Sequence, residues 1–313
     1  MQILKFSEVY KDYIWGGERM RSLFGAGSDA DRIAESWVLS SHPDGESRIR
    51  GGEADGVLLS EYLKENPELL GTSRRSDELP VLIKFIDAKS DLSVQVHPTD
   101  ALACELEGCG AGKTEMWYVI DCDEGARICC GFRRELGEAE LRAAVSEERL
   151  EDELSYFPSR RGEVFFIPAG TVHAIGGGNF IAEIQQNSNI TYRLYDYGRR
   201  DKNGNPRELH LEKGIRASDP KPYERREPKL IADGVRELAS CEFFEVFELK
   251  IKRDAELFAD ERSFLALVCT EGEFSLGEIS LKAGECAFIP AGYGELKLCG
   301  KGTLLLTKLP TEE

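Results

Sequence analysis

Apolar residues in this chain occur mainly in short runs that glycine, aspartate and asparagine interrupt. In the first two thirds of the chain the runs lie at residues 79–88, 92–97, 116–120, 126–130, 164–167, 173–175, 181–184 and 191–195. Further runs lie at 243–252, 264–269, 273–276, 286–289, 295–298 and 304–306. Short runs rich in Val, Ile, Phe and Tyr between turn residues are typical of β-strands. The pattern predicts a mainly β protein made of sandwiches or barrels.

Helical patterns are fewer and lie between the strands. We expect a short helix at residues 59–70 that is interrupted near Pro67, and another at 100–107 that stops at Gly108. One or two surface helices are expected within 138–154, and one more at 209–215. Three prolines lie among charged residues between positions 217 and 233, which indicates a linker. We therefore predict an N-terminal domain at 1–216 with helical insertions, a linker at 217–234 and a C-terminal domain at 235–313.

One stretch of sequence occurs twice. GEVFFIPAG at residues 162–170 recurs as GECAFIPAG at 284–292, and WYVIDCDEG at 117–125 is echoed by FLALVCTEG at 264–272. His173 follows the proline turn of the first copy, whereas Glu295 occupies the matching place in the second. The repeat predicts one fold unit present twice, with the polar chemistry kept only in the first.

Composition and charge exclude several classes of function. The 313 residues carry a net charge of −17, which repels nucleic acid and anionic lipid. Apolar runs stay short of the ~20 residues that a membrane span needs, and the N-terminus lacks a signal-peptide core. Nine cysteines without paired spacing indicate free thiols in a reducing compartment. We expect a cytoplasmic protein.

Four residues in three distant segments are candidate metal ligands: Gln95, His97, Glu115 and His173. Gln95 and His97 are two apart on a predicted strand, so both side chains point to one face. Inward-facing residues from several strands meet inside a barrel. Two imidazoles and a carboxylate with an open position are typical of catalytic zinc, although Fe(II), Mn or Co suits the same ligands.

Basic residues close to these segments suggest an anionic ligand. Lys113 is two residues before Glu115, and Arg193 lies in the predicted strand at 191–195. Arginine suits phosphate because its planar fork binds two oxygens at once. Four more basic residues follow this strand: Arg199, Arg200, Lys202 and Arg207. They are consistent with a solvated loop as well as with a phosphate site. We take Lys113 and Arg193 as candidate catalytic residues, and Lys84, Glu183 and Arg199 as candidate substrate-binding residues.

Several motifs together make the chain similar to a known family. They are WGG at 15–17, AESW at 34–37, LSVQVHP at 92–98, KTEMW at 113–117, PAGTVHA at 168–174 and TYRLYDY at 191–197. In combination they resemble the type I mannose-6-phosphate isomerases, in the short bacterial form, which belong to the cupin superfamily. The resemblance implies two jelly-roll cupin barrels, of which the second is degenerate. The chain departs from the usual cupin pattern at Gln95, where a second histidine is common. Asn189 stands where some relatives carry aspartate.

The resemblance also implies a site and a reaction. One zinc ion per chain would be bound by Gln95, His97, Glu115 and His173, with Arg193 essential and Lys113 in the pocket. The substrate would be a phosphorylated hexose, with mannose 6-phosphate and fructose 6-phosphate interconverted through a cis-enediol. The base is left open between a metal-bound water, Lys113 and an inward-facing Glu183. Two other functions stay open: a metal-dependent cupin enzyme of the oxygenase type, and a non-catalytic sugar-binding cupin. We expect a monomer or homodimer.

Overall fold

The computed structural model describes residues 1–74, 76–108, 110–200 and 204–310. Strands β1 to β9 are Leu4–Ser7, Val9–Lys11, Glu35–Leu39, Arg48–Arg50, Val81–Ala88, Val94–Val96, Glu115–Cys122, Arg127–Phe132 and Leu154–Pro158. Strands β10 to β15 are Val164–Ile167, His173–Ile175, Asn179–Gln186, Tyr192–Tyr195, Lys229–Ala232 and Val235–Ser240. Strands β16 to β21 are Glu245–Ile251, Asp254–Ala259, Leu265–Leu276, Ile279–Lys282, Cys286–Ile289 and Gly294–Lys308.

Helices α1 to α6 are Arg19–Phe24, Leu59–Glu65, Asp100–Glu107, Glu138–Ser146, Leu150–Glu153 and Leu211–Ala217, and a 3₁₀ helix spans Pro67–Leu70. The prediction of a mainly β protein with few helices is confirmed. Helix α3 ends as predicted, because Gly108 adopts a φ of 93° that few other residues tolerate. None of the described helices has the length and apolar character that crossing a bilayer requires.

Nine of the described strands and helix α1 escaped the sequence analysis, and three of these strands show why. Strand β14 lies in the segment predicted as a linker, where its four residues are all exposed and no apolar alternation marks it. Strand β9 begins at Leu154, inside the range assigned to surface helices. Strand β1 pairs with β20 from the far end of the chain and with β4. These strands exist through pairing with distant partners, which local pattern does not reveal.

Two sheets form the N-terminal barrel. One has the strand order β10-β7-β12-β5-β3-β2 and the other β13-β6-β11-β8-β9. Strand β7 shows how the larger sheet is covered on both faces: Trp117 and Val119 belong to the core inside the barrel, whereas Met116 and Tyr118 belong to a second core on the outer face. All four are at most 5 % exposed. The period of two along a strand separates these two cores.

The outer core joins the barrel to a third sheet, ordered β14-β15-β16-β21-β18-β20-β1-β4, with β17 on β21 and β19 on β18. Phe264, directly before β18, and Phe288 on β20 stack with ring centroids 5.0 Å apart in the same cluster as Phe85 and Tyr118. Tyr118 also donates a hydrogen bond of 2.8 Å to Glu248 Oε1 across the interface. The division into domains at 216 and 235 stays a prediction. Strand β1, from the predicted N-terminal domain, is part of the sheet that the C-terminal strands form.

The two copies of the repeat form the same strand pair. In the first copy Ile167 lies opposite Glu115, and in the second Ile289 lies opposite Leu265. Leu265 is therefore the structural counterpart of Glu115, and Glu295, which is exposed, takes the place of His173. The second unit has an apolar interior where the first holds polar side chains.

Candidate active site

Three predicted ligands converge inside the N-terminal barrel. His173 Nε2 lies 3.3 Å from Glu115 Oε1, and His97 Nε2 lies 3.6 Å from Glu115 Oε2. Each side chain is at most 1 % exposed. Their ligand atoms all fall within 4.8 Å of one another, close enough to bind one ion.

Strand register places the fourth candidate beside them. Gln95 on β6 lies opposite His173 on β11 and opposite Arg193 on β13. The Gln95 amide nitrogen is 3.4 Å from His173 Nε2, while its oxygen accepts a hydrogen bond from Ser93 Oγ at 3.2 Å. An amide offers either an oxygen or a nitrogen to the cluster by rotation about its last bond.

Backbone carbonyls fix the tautomer of both histidines. Nδ1 of His97 is 2.8 Å from the carbonyl of Ile190, and Nδ1 of His173 is 2.8 Å from the carbonyl of Thr171. A carbonyl only accepts, so each Nδ1 carries the proton and each Nε2 presents a lone pair toward Glu115. Burial lowers the pKa of His97 well below its usual value and that of His173 to about 4. Both imidazoles are therefore neutral near pH 7, as metal binding requires.

Glu115 carries a polar atom without a partner. Among the described residues none donates a hydrogen bond to its Oε1, which faces a lone pair of His173. Burial, and then the charge of Glu183, raises the pKa of Glu115 against the opposing effect of Lys113. A buried acceptor facing other acceptors is costly unless a cation lies between them. The donor set, with two neutral imidazoles and one carboxylate, fits a divalent metal ion.

A network of buried charges surrounds this cluster. Glu183 on β12 lies opposite Lys84 on β5 and opposite Trp117 on β7. Its Oε1 is 3.2 Å from Lys84 Nζ and 3.3 Å from Lys113 Nζ, and its Oε2 accepts a hydrogen bond of 2.9 Å from Trp117 Nε1. Burial alone would raise the pKa of Glu183, but the two lysines outweigh burial and lower it. Glu183 is therefore ionised at neutral pH.

Both lysines have further partners. Lys113 Nζ lies 2.7 Å from Glu115 Oε2 and 3.1 Å from His97 Nε2. Lys84 Nζ lies 3.5 Å from Glu35 Oε2, and this oxygen also accepts a hydrogen bond of 2.6 Å from Trp37 Nε1. Although burial opposes it, the carboxylates of Glu183 and Glu35 raise the pKa of Lys84. The floor of the site is thus a chain of alternating charges.

A cleft of about 290 Å³ opens above this floor. Its charged lining residues are Lys84, Lys113, Arg193, Arg207, Glu35 and Glu183. The cleft is positive in a chain whose net charge is −17. An excess of one sign of charge in a cleft with low-dielectric walls attracts ligands of the other sign.

The structure brings together most of the predicted site residues. Lys84, Gln95, Lys113, Glu183 and Arg193 line the cleft, with the His97–Glu115–His173 triad buried beside it. The guanidinium of Arg199 is directed elsewhere, to Asp196, to the carbonyl of Asp91 and to the ring of Tyr197. His42 and His210 line a neighbouring cavity of about 470 Å³, and Lys202 lies outside the described residues.

Sequence reasoning missed Glu35 and Tyr13, which also line the cleft. Glu35 is 7 % exposed and lies on β3, two residues before Trp37, whose indole it binds. One signal could have revealed Glu35: strand alternation places its side chain toward the interior, where an unpaired carboxylate is rare. Tyr13 is 39 % exposed and precedes the WGG motif without any pattern that marks it.

Comparison with known proteins identifies the family. The family model "Phosphomannose isomerase type I, catalytic domain" matches residues 3–117, and "Mannose-6-phosphate isomerase, cupin domain" matches residues 235–309. Mannose-6-phosphate isomerase ManA of Bacillus subtilis is 36 % identical over 98 % of this chain and 98 % of its own length. The mannose-6-phosphate isomerase of Streptococcus mutans is 38 % identical over 91 % and 90 %.

A solved structure gives the same result. The crystal structure of the mannose 6-phosphate isomerase from Bacillus subtilis matches with a TM-score of 0.91 and 33 % identity, over 98 % of this chain and 99 % of that one. A structure from Archaeoglobus fulgidus matches with a TM-score of 0.81 and 25 % identity. Full-length similarity at this level leaves one assignment, and this chain belongs to the type I mannose-6-phosphate isomerase family.

Proposed function

We propose that this protein is a metal-dependent aldose–ketose isomerase that interconverts mannose 6-phosphate and fructose 6-phosphate. One observation carries the proposal. The buried His97–Glu115–His173 triad adjoins the ion pair of Lys113 and Glu183 at the floor of a positively charged cleft. A proton-transfer enzyme acting on a sugar phosphate has a use for all three features, and a binding module has no use for the first two together.

Four residues would hold the metal: Gln95, His97, Glu115 and His173. We propose one zinc ion per chain, on the grounds that imidazole and carboxylate ligands with an open position favour catalytic zinc. When bound, a divalent ion supplies positive charge that stabilises an enediolate oxygen.

Glu183 and Lys113 are the proposed proton carriers. Glu183 accepts the proton from C2 of the open-chain aldose, and the released electron pair forms the C1–C2 double bond as O1 takes a proton. The O2 hydroxyl then loses its proton, and Glu183 returns the first proton to C1 to give the ketose. Lys113, 3.3 Å from Glu183 Oε1, donates to and accepts from the two oxygens. The lysines keep Glu183 ionised but make it a weaker base, so its position must provide most of the rate.

Arg193 provides fixed positive charge at the side of the cleft. Its Nε donates to Ser93 Oγ at 3.2 Å and its Nη1 to the carbonyl of Glu208 at 2.8 Å. These two bonds orient the guanidinium without neutralising it. Preorganised charge of this kind stabilises an enediolate at no cost of reorganisation.

The test is a coupled assay that follows fructose 6-phosphate formed from mannose 6-phosphate by the purified protein. Turnover should stop with a chelator and return with Zn²⁺, and metal analysis should find one zinc per chain. Glu183→Gln should lower kcat by about 10²–10⁴-fold, and Arg193→Ala by about 10²–10³-fold. Absence of isomerisation by the metal-loaded protein would refute the proposal.

The same preparation separates the other readings. An oxygenase would contain iron and consume oxygen, and a sugar-binding cupin would bind the hexose phosphate without converting it. We place the activity in the cytoplasm, where phosphorylated hexoses are available. Light scattering of the metal-loaded protein decides between a monomer and a homodimer.

A further inference from the structure

The charge of the cleft is not evenly neutralised. Lys84 and Lys113 at the floor each have carboxylate partners within 3.5 Å. Arg193, at the side, has no carboxylate within ion-pair distance among the described residues. The uncompensated positive charge of the cleft therefore lies with its arginines, away from the floor.

Arg207 is the second arginine of the cleft. Among the described residues its ion-pair partner is Asp196, whose Oδ1 lies 3.3 Å from Arg207 Nη1. That oxygen is shared, because Arg199 Nη2 donates to it as well. One carboxylate thus serves two guanidinium groups, so half of their combined charge is left over. The Arg207 side chain is 22 % exposed, which leaves it accessible from the cleft.

Asp196 fixes the direction in which Arg207 points. It is 4 % exposed and follows directly after strand β13, which carries Arg193. The next residue, Tyr197, has a φ of 55°, a conformation that is uncommon for a residue other than glycine. Backbone strain of this kind is often found where a functional side chain is held in place.

Nearby groups support an anion at this end of the cleft. Burial, and then the charge of Arg207, lowers the pKa of Arg193. The two cations are thus close enough to repel each other, and a bound anion would relieve that repulsion. Tyr13 and Asn189 line the same cleft and add hydrogen-bonding side chains of neutral charge.

We propose that Arg207, positioned by Asp196, anchors the phosphate group of the substrate at the arginine side of the cleft, with C1 and C2 of the sugar at the Lys113–Glu183 floor. This inference rests on the proposed function. It assigns to Arg207 selection for phosphorylated over unphosphorylated aldoses, separate from the proton transfer at the floor.

The experiment compares Arg207→Gln with Arg216→Gln in the metal-loaded enzyme. Arg216 is an exposed helix residue paired with Glu105 and does not line the cleft, so its change removes one positive charge outside the cleft. Two quantities are measured, KM and kcat for mannose 6-phosphate and the inhibition constant of inorganic phosphate. Arg207→Gln should raise both KM and the inhibition constant by about tenfold or more, since a charge-assisted hydrogen bond is lost. Its kcat should change less than threefold, and Arg216→Gln should change every value less than twofold.

Protection by inorganic phosphate against thermal unfolding gives a readout that does not depend on turnover. Phosphate should raise the Tm of the wild type more than that of Arg207→Gln. If the wild type shows no isomerase activity but this difference persists, the proposed function fails and the anion site stands. Unchanged KM, inhibition constant and protection in Arg207→Gln would overturn the inference, as would a fall in kcat at constant KM.

A second variant keeps the test decisive if Arg207→Gln does not fold. Arg207→Lys retains the charge and loses the planar fork, so KM and the phosphate inhibition constant should rise about threefold or more while kcat is kept. Wild-type values of both constants in Arg207→Lys, together with misfolding of Arg207→Gln, would assign Arg207 a structural role and refute the proposal.

Discussion

Replacing Glu183 by glutamine removes the carboxylate that two buried lysines share. Lys84 Nζ and Lys113 Nζ lie 3.2 and 3.3 Å from its Oε1. At an effective dielectric constant of about 20, each contact is worth about 5 kcal/mol before desolvation is counted. Desolvation of the carboxylate cancels much of this gain, and breaking a buried ion pair costs about 3–5 kcal/mol in practice.

We expect Glu183→Gln to lower the free energy of unfolding by about 3 kcal/mol, at the low end of that range. The low end applies because Lys84 keeps Glu35 at 3.5 Å and Lys113 keeps Glu115 at 2.7 Å. The assay is urea unfolding of the metal-free protein at pH 7, followed by tryptophan fluorescence. Metal-free protein is used so that metal affinity does not contribute to the difference.

The pH dependence of this effect has a definite sign. The folded-state pKa of Glu183 is lowered, so its stabilisation is present above the unfolded pKa of about 4.3 and is lost as the pH falls through the folded pKa. The difference between wild type and variant should therefore shrink below about pH 4. Glu212→Gln, which changes an exposed carboxylate, is the matched control and should leave the urea midpoint unchanged. A loss below about 1 kcal/mol at pH 7, or a difference that persists undiminished in acid, would refute the reasoning.

Three further predictions concern the scaffold. Phe288→Ala, in the core between the sheets, should cost about 3–5 kcal/mol in urea unfolding, and a cost below about 1 kcal/mol would contradict the shared core. Gly17→Ala should lower the Tm, because a Cβ there would overlap the carboxylate of Asp87, and an unchanged Tm would show that the loop can shift freely. Glu248→Gln should be less stable than wild type at neutral pH, since Tyr118 and Arg236 both donate to this buried carboxylate. Although burial raises it, these bonds lower the pKa of Glu248, so the difference should begin to shrink below the unfolded pKa of about 4.3 and be lost as the pH falls through the folded pKa. A difference that stays constant in acid would exclude this cause.

Many of the strands and the ligand types could be predicted, because local pattern is enough for these. The run VFFI at 164–167 is a strand with the predicted bounds. A run of only four apolar residues between Glu163 and Pro168 is typical of a short buried strand rather than of a helix. Gln95, His97, Glu115 and His173 were found because their residue types suit a metal and because alternation places the first two on one face. The role of each stays a prediction that the proposed variants test.

Other features required the fold. The exposed strand Lys229–Ala232 has no apolar alternation of its own and forms only because Val235–Ser240 pairs with it. Glu35 was not recognised as part of the site, because its ion pair with Lys84 joins β3 to β5 across 49 positions of the sequence. The sequence repeat aligns Phe264 with Trp117, and that alignment does not match Leu265 to Glu115. Only the strand pairing shows that Leu265 is the counterpart of Glu115.

By itself the sequence determined the mainly β character, the duplication, the family and the chemical types of the candidate ligands, because these depend on residue identity and short spacing. Tertiary structure decided which charges meet. Glu183 neutralises two lysines because strand register brings it opposite Lys84 and next to Trp117, and Arg207 faces the cleft because Asp196 holds it there. Neighbour relations between distant strands follow from pairing and packing of the whole chain, and no local pattern of hydrophobic and polar residues encodes them.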